Sequence, residues 1–308
     1  RGFGVGSTDW PRYPALSEAE VVIHADGSVE VRTGSQDIGT GQRTVMGTIA
    51  ARGLGVPLDR VKVRIGSSTL PTAPGSGGSV TSSNTAPSMA EAATDAKNQF
   101  LSAVADQLGE DASDLDVVDD QVLIKGRPAM SFRDACRRMG RDHLTGRGAR
   151  TRDSVRNDDP NDGHSMGVQF VDLRVDTETG LIKVDRIVAI QSCGMVVNRK
   201  TAESQIIGAV IQGLSYALFE EKVLDRNTGA MVNPNLEWYR IAGAADMPHI
   251  EPVLWSEGQT GVRPLGEPPT IPTSGAIACA VFNAIGAPVR DLPLRPDRVL
   301  AACKGGAS

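Results

Sequence analysis

Four stretches of this 308-residue chain place residue types that can do chemistry at spacings that could bring them together. The first is Gly266-Glu267-Pro268-Pro269. Proline fixes its own φ and restricts the residue before it, so Glu267 is expected on a stiff, extended, non-helical backbone. A carboxylate aimed from a rigid loop just ahead of a helix is a candidate general base. The competing reading is a solvated surface acid, the commoner fate of an isolated glutamate. The second stretch, Thr33 to Gly41, runs from a strand through Gly34, Gly39 and Gly41 into a helical pattern from about Gln42 to Arg52. Glycine permits close backbone approach, and a helix N-terminus offers N–H groups and a positive dipole end. That is a geometry for an anion or an oxo group. A plain strand–turn–helix connection is the alternative.

The third stretch, Leu70 to Thr85, is rich in glycine and hydroxyls, among them Gly78, Ser79 and Thr81. Its composition suits a flexible linker. A helical pattern from Ala86 to Leu108 follows at once, which favours an ordered loop able to wrap a polar cofactor. The fourth is a helix expected from Asn198 to about Phe219. Ile206, Val210, Leu214 and Leu218 form its core stripe. Gln205 and Gln212 share another face beside Gly208, Ala209 and Gly213, where a cofactor or a neighbouring segment could approach. A solvated Gln205 is the alternative.

The elements that must position these groups are mixed. Glu20 to Thr33 alternates as a hairpin turning at Asp26–Gly27, and Val168–Val175 with Leu181–Ile190 forms a second. Val61 to Ile65 reads as a short strand, and Met247 to Val253 as extended chain. Val117 to Lys125 reads as a small hairpin, followed by a short helix from Ser131 to Met139. Together the region from about 110 to 150 resembles a satellite subdomain. Arg150 to Gly163 is charged and rich in Asn and Asp, as expected of a mobile or partner-facing loop. A helix is expected from Thr273 to Ile285, ended by Gly286 and Pro288. The proline-containing tail from Val289 to Ala301 is expected to lie along the surface. Gly2, Gly4 and Gly6 lack the spacing and preceding strand of a dinucleotide fingerprint.

Composition narrows the classes. Net charge is −5 with no basic block, so nucleic-acid binding has no electrostatic support. No run approaches the roughly 18 apolar residues of a membrane span, and no signal peptide is visible. Cys136, Cys193, Cys279 and Cys303 form no C-x-x-C pair and read as reduced, mostly buried thiols. The four histidines are scattered, so no His-based metal site is expected. Ser79 has no nucleophile elbow around it, which argues against a serine hydrolase.

Taken together, Gln36-Asp37-Ile38-Gly39-Thr40-Gly41, Gly75 to Thr81, Gln205-Ile206-Ile207-Gly208-Ala209 and Gly266-Glu267-Pro268-Pro269 resemble the C-terminal part of the molybdenum-binding subunit of the xanthine dehydrogenase/aldehyde oxidase family. Ile271-Pro272-Thr273, Arg290-Asp291-Leu292-Pro293-Leu294 and Met231 to Tyr239 look similar as well. The resemblance covers nearly the whole chain, so residues 1–308 are expected to form one C-terminal molybdopterin-binding region with the satellite at about 110–150. It implies an elongated α+β fold with mixed sheets and packed helices. It implies a molybdenum hydroxylase subunit that oxidises an aldehyde or an N-heterocycle by hydroxide transfer from molybdenum and hydride transfer to a sulfido ligand. A non-catalytic assembly subunit retaining the fold is the alternative.

Residue by residue, the resemblance makes Glu267 the catalytic glutamate and Gln205 a cofactor contact. Ile38, Gly39 and Thr40 match the turn over the pterin, where relatives often carry Met-Gly-Gln; Thr40 removes a side-chain amide donor. Gly78, Ser79 and Thr81 match the loop around the pterin and its phosphates. The metal is expected on the pterin dithiolene and not on protein side chains. The cofactor is expected in its cytosine dinucleotide form, with iron–sulfur and FAD subunits as partners and a small-molecule substrate. The family's Gly-Phe-Gly loop belongs to an earlier domain, and Gly2-Phe3-Gly4 does not match it. That half of the site is expected on a remaining molybdenum-binding chain or segment. A cytoplasmic location is expected, with the periplasm as the alternative.

Overall fold

The computed structural model describes residues 1–151, 153, 163–258 and 261–305. Most of the charged 150–163 stretch lies outside the described residues. The chain is α+β, and two four-stranded sheets with the same strand order and directions dominate it. In one, β2 (Ser17–His24) and β3 (Val29–Arg32) form an antiparallel hairpin, and β4 (Val61–Arg64) joins β3 in parallel after the helix α1 (Gln42–Leu54). In the other, β9 (Ser165–Val175) and β10 (Ile182–Ser192) form the hairpin, and β11 (His249–Trp255) joins β10 in parallel after α4 (Arg199–Leu218). Each hairpin takes one antiparallel edge strand, β8 (His143–Arg150) on β2 and β1 (Gly2–Trp10) on β9. The orders are therefore β4-β3-β2-β8 and β11-β10-β9-β1.

A second helix covers each sheet: α2 (Thr81–Leu108) packs on β8 and β2, and α5 (Ile271–Ile285) on β1 and β9. Both packings use glycine in the edge strand. A Cβ built on Gly4 would lie 2.1 Å from the Ala276 carbonyl oxygen, and one on Gly148 2.0 Å from that of Ser88. The strand thus rests directly on helix backbone, at a spacing that any larger side chain would widen. This explains the alternating Gly2, Gly4 and Gly6: they form the seat of α5. Two cores result. One joins Val21, Ile23 and Val31 to Met46, Met89 and Phe100; the other joins Val171, Leu173 and Ile187 to Ile206, Leu214 and Ile277.

Several elements differ from their sequence reading. α2 begins at Thr81, five residues before the expected start, and carries Pro87 inside it. Proline has no N–H to offer the carbonyl four residues back. The carbonyl of Ser83 instead accepts from Arg12 Nη2 at 2.7 Å, which offsets the lost backbone bond. The small hairpin has a third strand: β5 (Leu115–Val118), β6 (Gln121–Ile124) and β7 (Arg127–Ser131) form one sheet ahead of α3 (Phe132–Arg138). Val117, Val122 and Phe132 bury into the same core as Phe100. The tail is not merely laid along the surface. It ends in α6 (Pro296–Cys303), whose prolyl first residue suits a helix start, and Leu294 and Val299 are buried. All four cysteines are free, but only Cys136 and Cys193 are buried; Cys279 and Cys303 are exposed.

Candidate functional site

The matching topology brings four connections to one place. The segments that follow β3 and β10 lead into α1 and α4; those that follow β4 and β11 lead into α2 and α5. Together they line a cleft of ≈ 390 Å³ between the two halves. Ile38, Thr40, Ser79, Thr81, Gln205 and Glu267 all line it. Gly39 and Gly78 lie in the same turns, both at positive φ, without lining the cleft.

Glu267 is exposed, yet its side chain is tied across the cleft mouth. Its Oε1 accepts from the Gly78 N–H at 3.2 Å, and its Oε2 accepts from Ser79 Oγ at 3.3 Å. Its own N–H donates to Ser79 Oγ at 2.8 Å. The backbone at Glu267 is not extended as the following proline predicts. It has φ −104° and ψ −34°, because its carbonyl accepts from the Thr270 N–H at 3.0 Å and closes a short 3-10 turn, Pro268–Thr270, leading into α5. Ser79 sits at φ 58°, a left-handed conformation that is uncommon outside glycine.

The Gly/Ser-rich loop is held in place by side chains of the turn beside it. Ser76 Oγ donates to Gln36 Oε1 at 3.1 Å. Gln42, almost wholly buried, donates through Nε2 to Thr85 Oγ1 at 2.7 Å and accepts through Oε1 from Ser82 Oγ at 2.7 Å. Each partner loses freedom once for several bonds, so the network favours a single loop conformation.

Part of the turn's donor capacity is already taken within the chain. Asp37 Oδ1 accepts from the N–H groups of Gly39 and Gly41 at 3.0 and 3.1 Å, and Oδ2 from that of Arg43 at 3.0 Å. Partial burial alone would raise the Asp37 pKa, but these donors outweigh it and hold the carboxyl below its ordinary range. The chain's own carboxylate fills the positive end of the helix.

The opposite wall was not identified from sequence. Cys193, Met195, Val196, Val197, Asn198 and Thr201 line it, together with Arg263. Asn198 caps α4 by accepting from the Thr201 N–H at 3.1 Å, and Thr201 packs against Gly41. The one available signal was positional: this segment follows β10 as the Gln36–Gly41 turn follows β3. Burial pushes the Cys193 thiol up to about 11, so it is a neutral packing group at physiological pH. Arg263 is 7% exposed and donates through Nη1 to the His164 carbonyl at 3.1 Å. Gln212 joins Gln205 in the lining, and Gly266 lies against Ser79 and Gln205.

The polar lining consists of hydroxyls and amides with one carboxylate, Glu267, and one guanidinium, Arg263. Among the described residues, no three His, Cys, Asp or Glu side chains group so as to hold a metal ion. Such a lining fits an organic cofactor bound through its hydrogen-bonding edges. The fold and cleft thus define an α+β cofactor-binding unit assembled from two like halves.

The family model for the molybdopterin cofactor-binding domain matches residues 1–248, and the chain belongs to that family. It is 32% identical to the xanthine dehydrogenase molybdenum-binding subunit of Escherichia coli O157:H7, over 97% of this chain and 41% of that protein. It is also 32% identical to the aldehyde oxidoreductase molybdenum-binding subunit PaoC of the same organism, over 92% and 38%. The chain therefore spans about two fifths of the length of the curated relatives it matches. Quinoline 2-oxidoreductase from Pseudomonas putida 86 has the same fold, with TM-score 0.87 and 22% identity over 99% of this chain and 42% of that one. Aldehyde oxidoreductase from Desulfovibrio gigas gives 0.72, with 22% identity over 98% and 32%. Among the described residues, no helix is long and apolar enough to cross a membrane.

Proposed function

We propose that this chain forms the C-terminal molybdopterin-binding region of a molybdenum hydroxylase acting on an aldehyde or an N-heterocycle. The observation that carries the reading is the joining of Glu267 to the Gly78–Ser79 turn at the edge of the cleft. The bound molybdenum centre would supply the two-electron oxidation and the oxygen transfer. The residues of the chain have simpler tasks. Ile38, Gly39 and Thr40 form one lip of the cofactor cradle, Gly78, Ser79 and Thr81 the other, and Gln205 contacts the cofactor from the helix between them. Glu267 is the catalytic base and accepts, at a carboxylate oxygen, the proton released as the substrate is hydroxylated. A base in this role must be ionised and within about 3 Å of the proton it takes, and its contribution is typically about 10²–10⁴-fold.

Residues 1–308 act as one region; of the satellite expected at about 110–150, the small sheet and α3 pack on the first core, and β8 belongs to the main sheet. The cofactor is the cytosine dinucleotide form. Iron–sulfur and FAD subunits carry the electrons away, and a further molybdenum-binding segment or chain completes the substrate pocket. The enzyme works in the cytoplasm. Metal and nucleotide analysis of the assembled enzyme tests this reading. Molybdenum with stoichiometric cytidine monophosphate after acid hydrolysis is the expected result. An assembly without molybdenum would overturn it in favour of a non-catalytic assembly subunit.

A further inference from the structure

Gln169 is an amide where the fold calls for a hydrocarbon. It lies on β9 and faces the core along with Val171 and Leu173, and it is 1% exposed. Across the sheet it is flanked by Gly6 and Ala189, both small. Burying an amide costs free energy unless both its ends are bonded. Both ends are. Nε2 donates to the Pro269 carbonyl at 2.5 Å, and Oε1 accepts from Thr273 Oγ1 at 2.7 Å. One side chain of the sheet therefore grips the turn that carries Glu267 and the first turn of α5 together.

The grip has little slack. Pro268 and Pro269 are buried and have fixed φ, so displacement of the Pro269 carbonyl is passed to Glu267 two residues earlier. On the far side, α4 presents Gly213, where an added Cβ would lie 2.4 Å from Thr273 Cβ and 2.9 Å from the Thr270 carbonyl oxygen. The turn is thus held between the Gln169 amide and the α4 backbone.

We propose that Gln169 is a positioning residue for Glu267: through the Pro269 carbonyl and Thr273 it fixes the turn that aims the carboxylate. The proposal rests on Glu267 acting as the base. It is tested in the assembled enzyme with Gln169→Leu, Glu267→Gln and the double variant. Gln169→Leu is expected to lower kcat about tenfold or more, with KM within about twofold and molybdenum content unchanged. Amide exchange across residues 267–273 is expected to speed up. In the Glu267→Gln background the same substitution is expected to cost less than about twofold further, since its effect is exerted through a carboxylate already removed. Wild-type kcat in Gln169→Leu, or an equal further loss in the double variant, overturns the proposal. If Gln169→Leu fails to assemble, Thr273→Val removes the hydroxyl that seats the amide, with its longer 3.4 Å contact to the Pro269 carbonyl, and is held to the same outcomes. Wild-type turnover in Glu267→Gln would instead sink the reading of the base. In that case the exchange measurement still reports whether Gln169 holds the turn, and unchanged exchange overturns that claim too.

Discussion

Ser79 and Glu267 hold each other through two hydrogen bonds, the serine hydroxyl accepting from the glutamate backbone N–H at 2.8 Å and donating to Oε2 at 3.3 Å. The two residues belong to segments that follow equivalent parallel strands of the two sheets, β4 and β11. The contact therefore closes the cleft across the junction of the halves. Ser79→Ala removes both bonds. A hydrogen bond to a charged group is worth about 1.5–3 kcal/mol, so turnover is expected to fall roughly tenfold or more. Ser79→Gly separates fold from function: it relieves the left-handed backbone at φ 58° and should be the more stable variant, yet be equally slow. Steady-state kinetics with thermal unfolding check both.

The Asp37 carboxylate organises the turn on the other side of the cleft by accepting from three backbone N–H groups. Asp37→Ala should destabilise the start of α1 by about 1 kcal/mol, as loss of a helix cap does. The pH dependence follows from the depressed folded pKa. The contribution is present above the ordinary value of 3.8 and is lost as pH falls through the lower folded value. The protection of the Gly39, Gly41 and Arg43 amides over that in the Asp37→Ala variant should be constant above about pH 5 and shrink in acid.

Strand β1 rests on α5 because its glycines lack side chains. Gly4→Ala would place a Cβ 2.1 Å from the Ala276 carbonyl and 2.4 Å from the Ala280 nitrogen, both backbone atoms. The strand or the helix must then move, at an expected cost of about 1–3 kcal/mol. Val5, the next residue, is half exposed on the opposite face of the strand, and Val5→Thr should change stability by about 0.5 kcal/mol or less. Urea unfolding of the two variants checks the contrast.

Glu221 ties the chain beyond α4 to the C-terminal helix. It pairs with Arg295 at 2.6 Å and Arg298 at 2.7 Å, and Arg295 chiefly holds its carboxyl below the ordinary range. The folded pKa is lowered, so the stabilisation exists above 4.5 and fades as pH falls through the folded value. Glu221→Gln should loosen α6 at neutral pH and resemble the wild type in strong acid, which amide exchange of residues 296–303 reads directly.

Much of this arrangement was legible in the sequence. Alternation gave the hairpins, and the apolar stripe Ile206-Val210-Leu214 gave α4, because those signals are local and periodic. Ile38, Thr40, Ser79, Thr81, Gln205 and Glu267 form a set through the family resemblance and lie around one cleft. What was not legible depended on partners distant in sequence. The helix runs through Pro87 with the freed Ser83 carbonyl bonded by Arg12, a residue 71 positions away. The glycines of β1 have no visible purpose until α5 is laid on them. The wall from Cys193 to Thr201 carries no distinctive residue chemistry, and Gln169 looks like any polar residue in an alternating strand. Asp37 reads as one more polar residue in a glycine-rich turn, and nothing local shows that its carboxylate accepts from the backbone leading into α1.

The most direct test of the central claim is the turnover of the assembled enzyme carrying Glu267→Gln, measured beside its molybdenum and nucleotide content. A base in that position predicts a loss of about 10²–10⁴-fold with the cofactor fully retained. Turnover within about threefold of wild type at the same cofactor content would contradict it, because so small a change is within about 1 kcal/mol of no effect on the barrier.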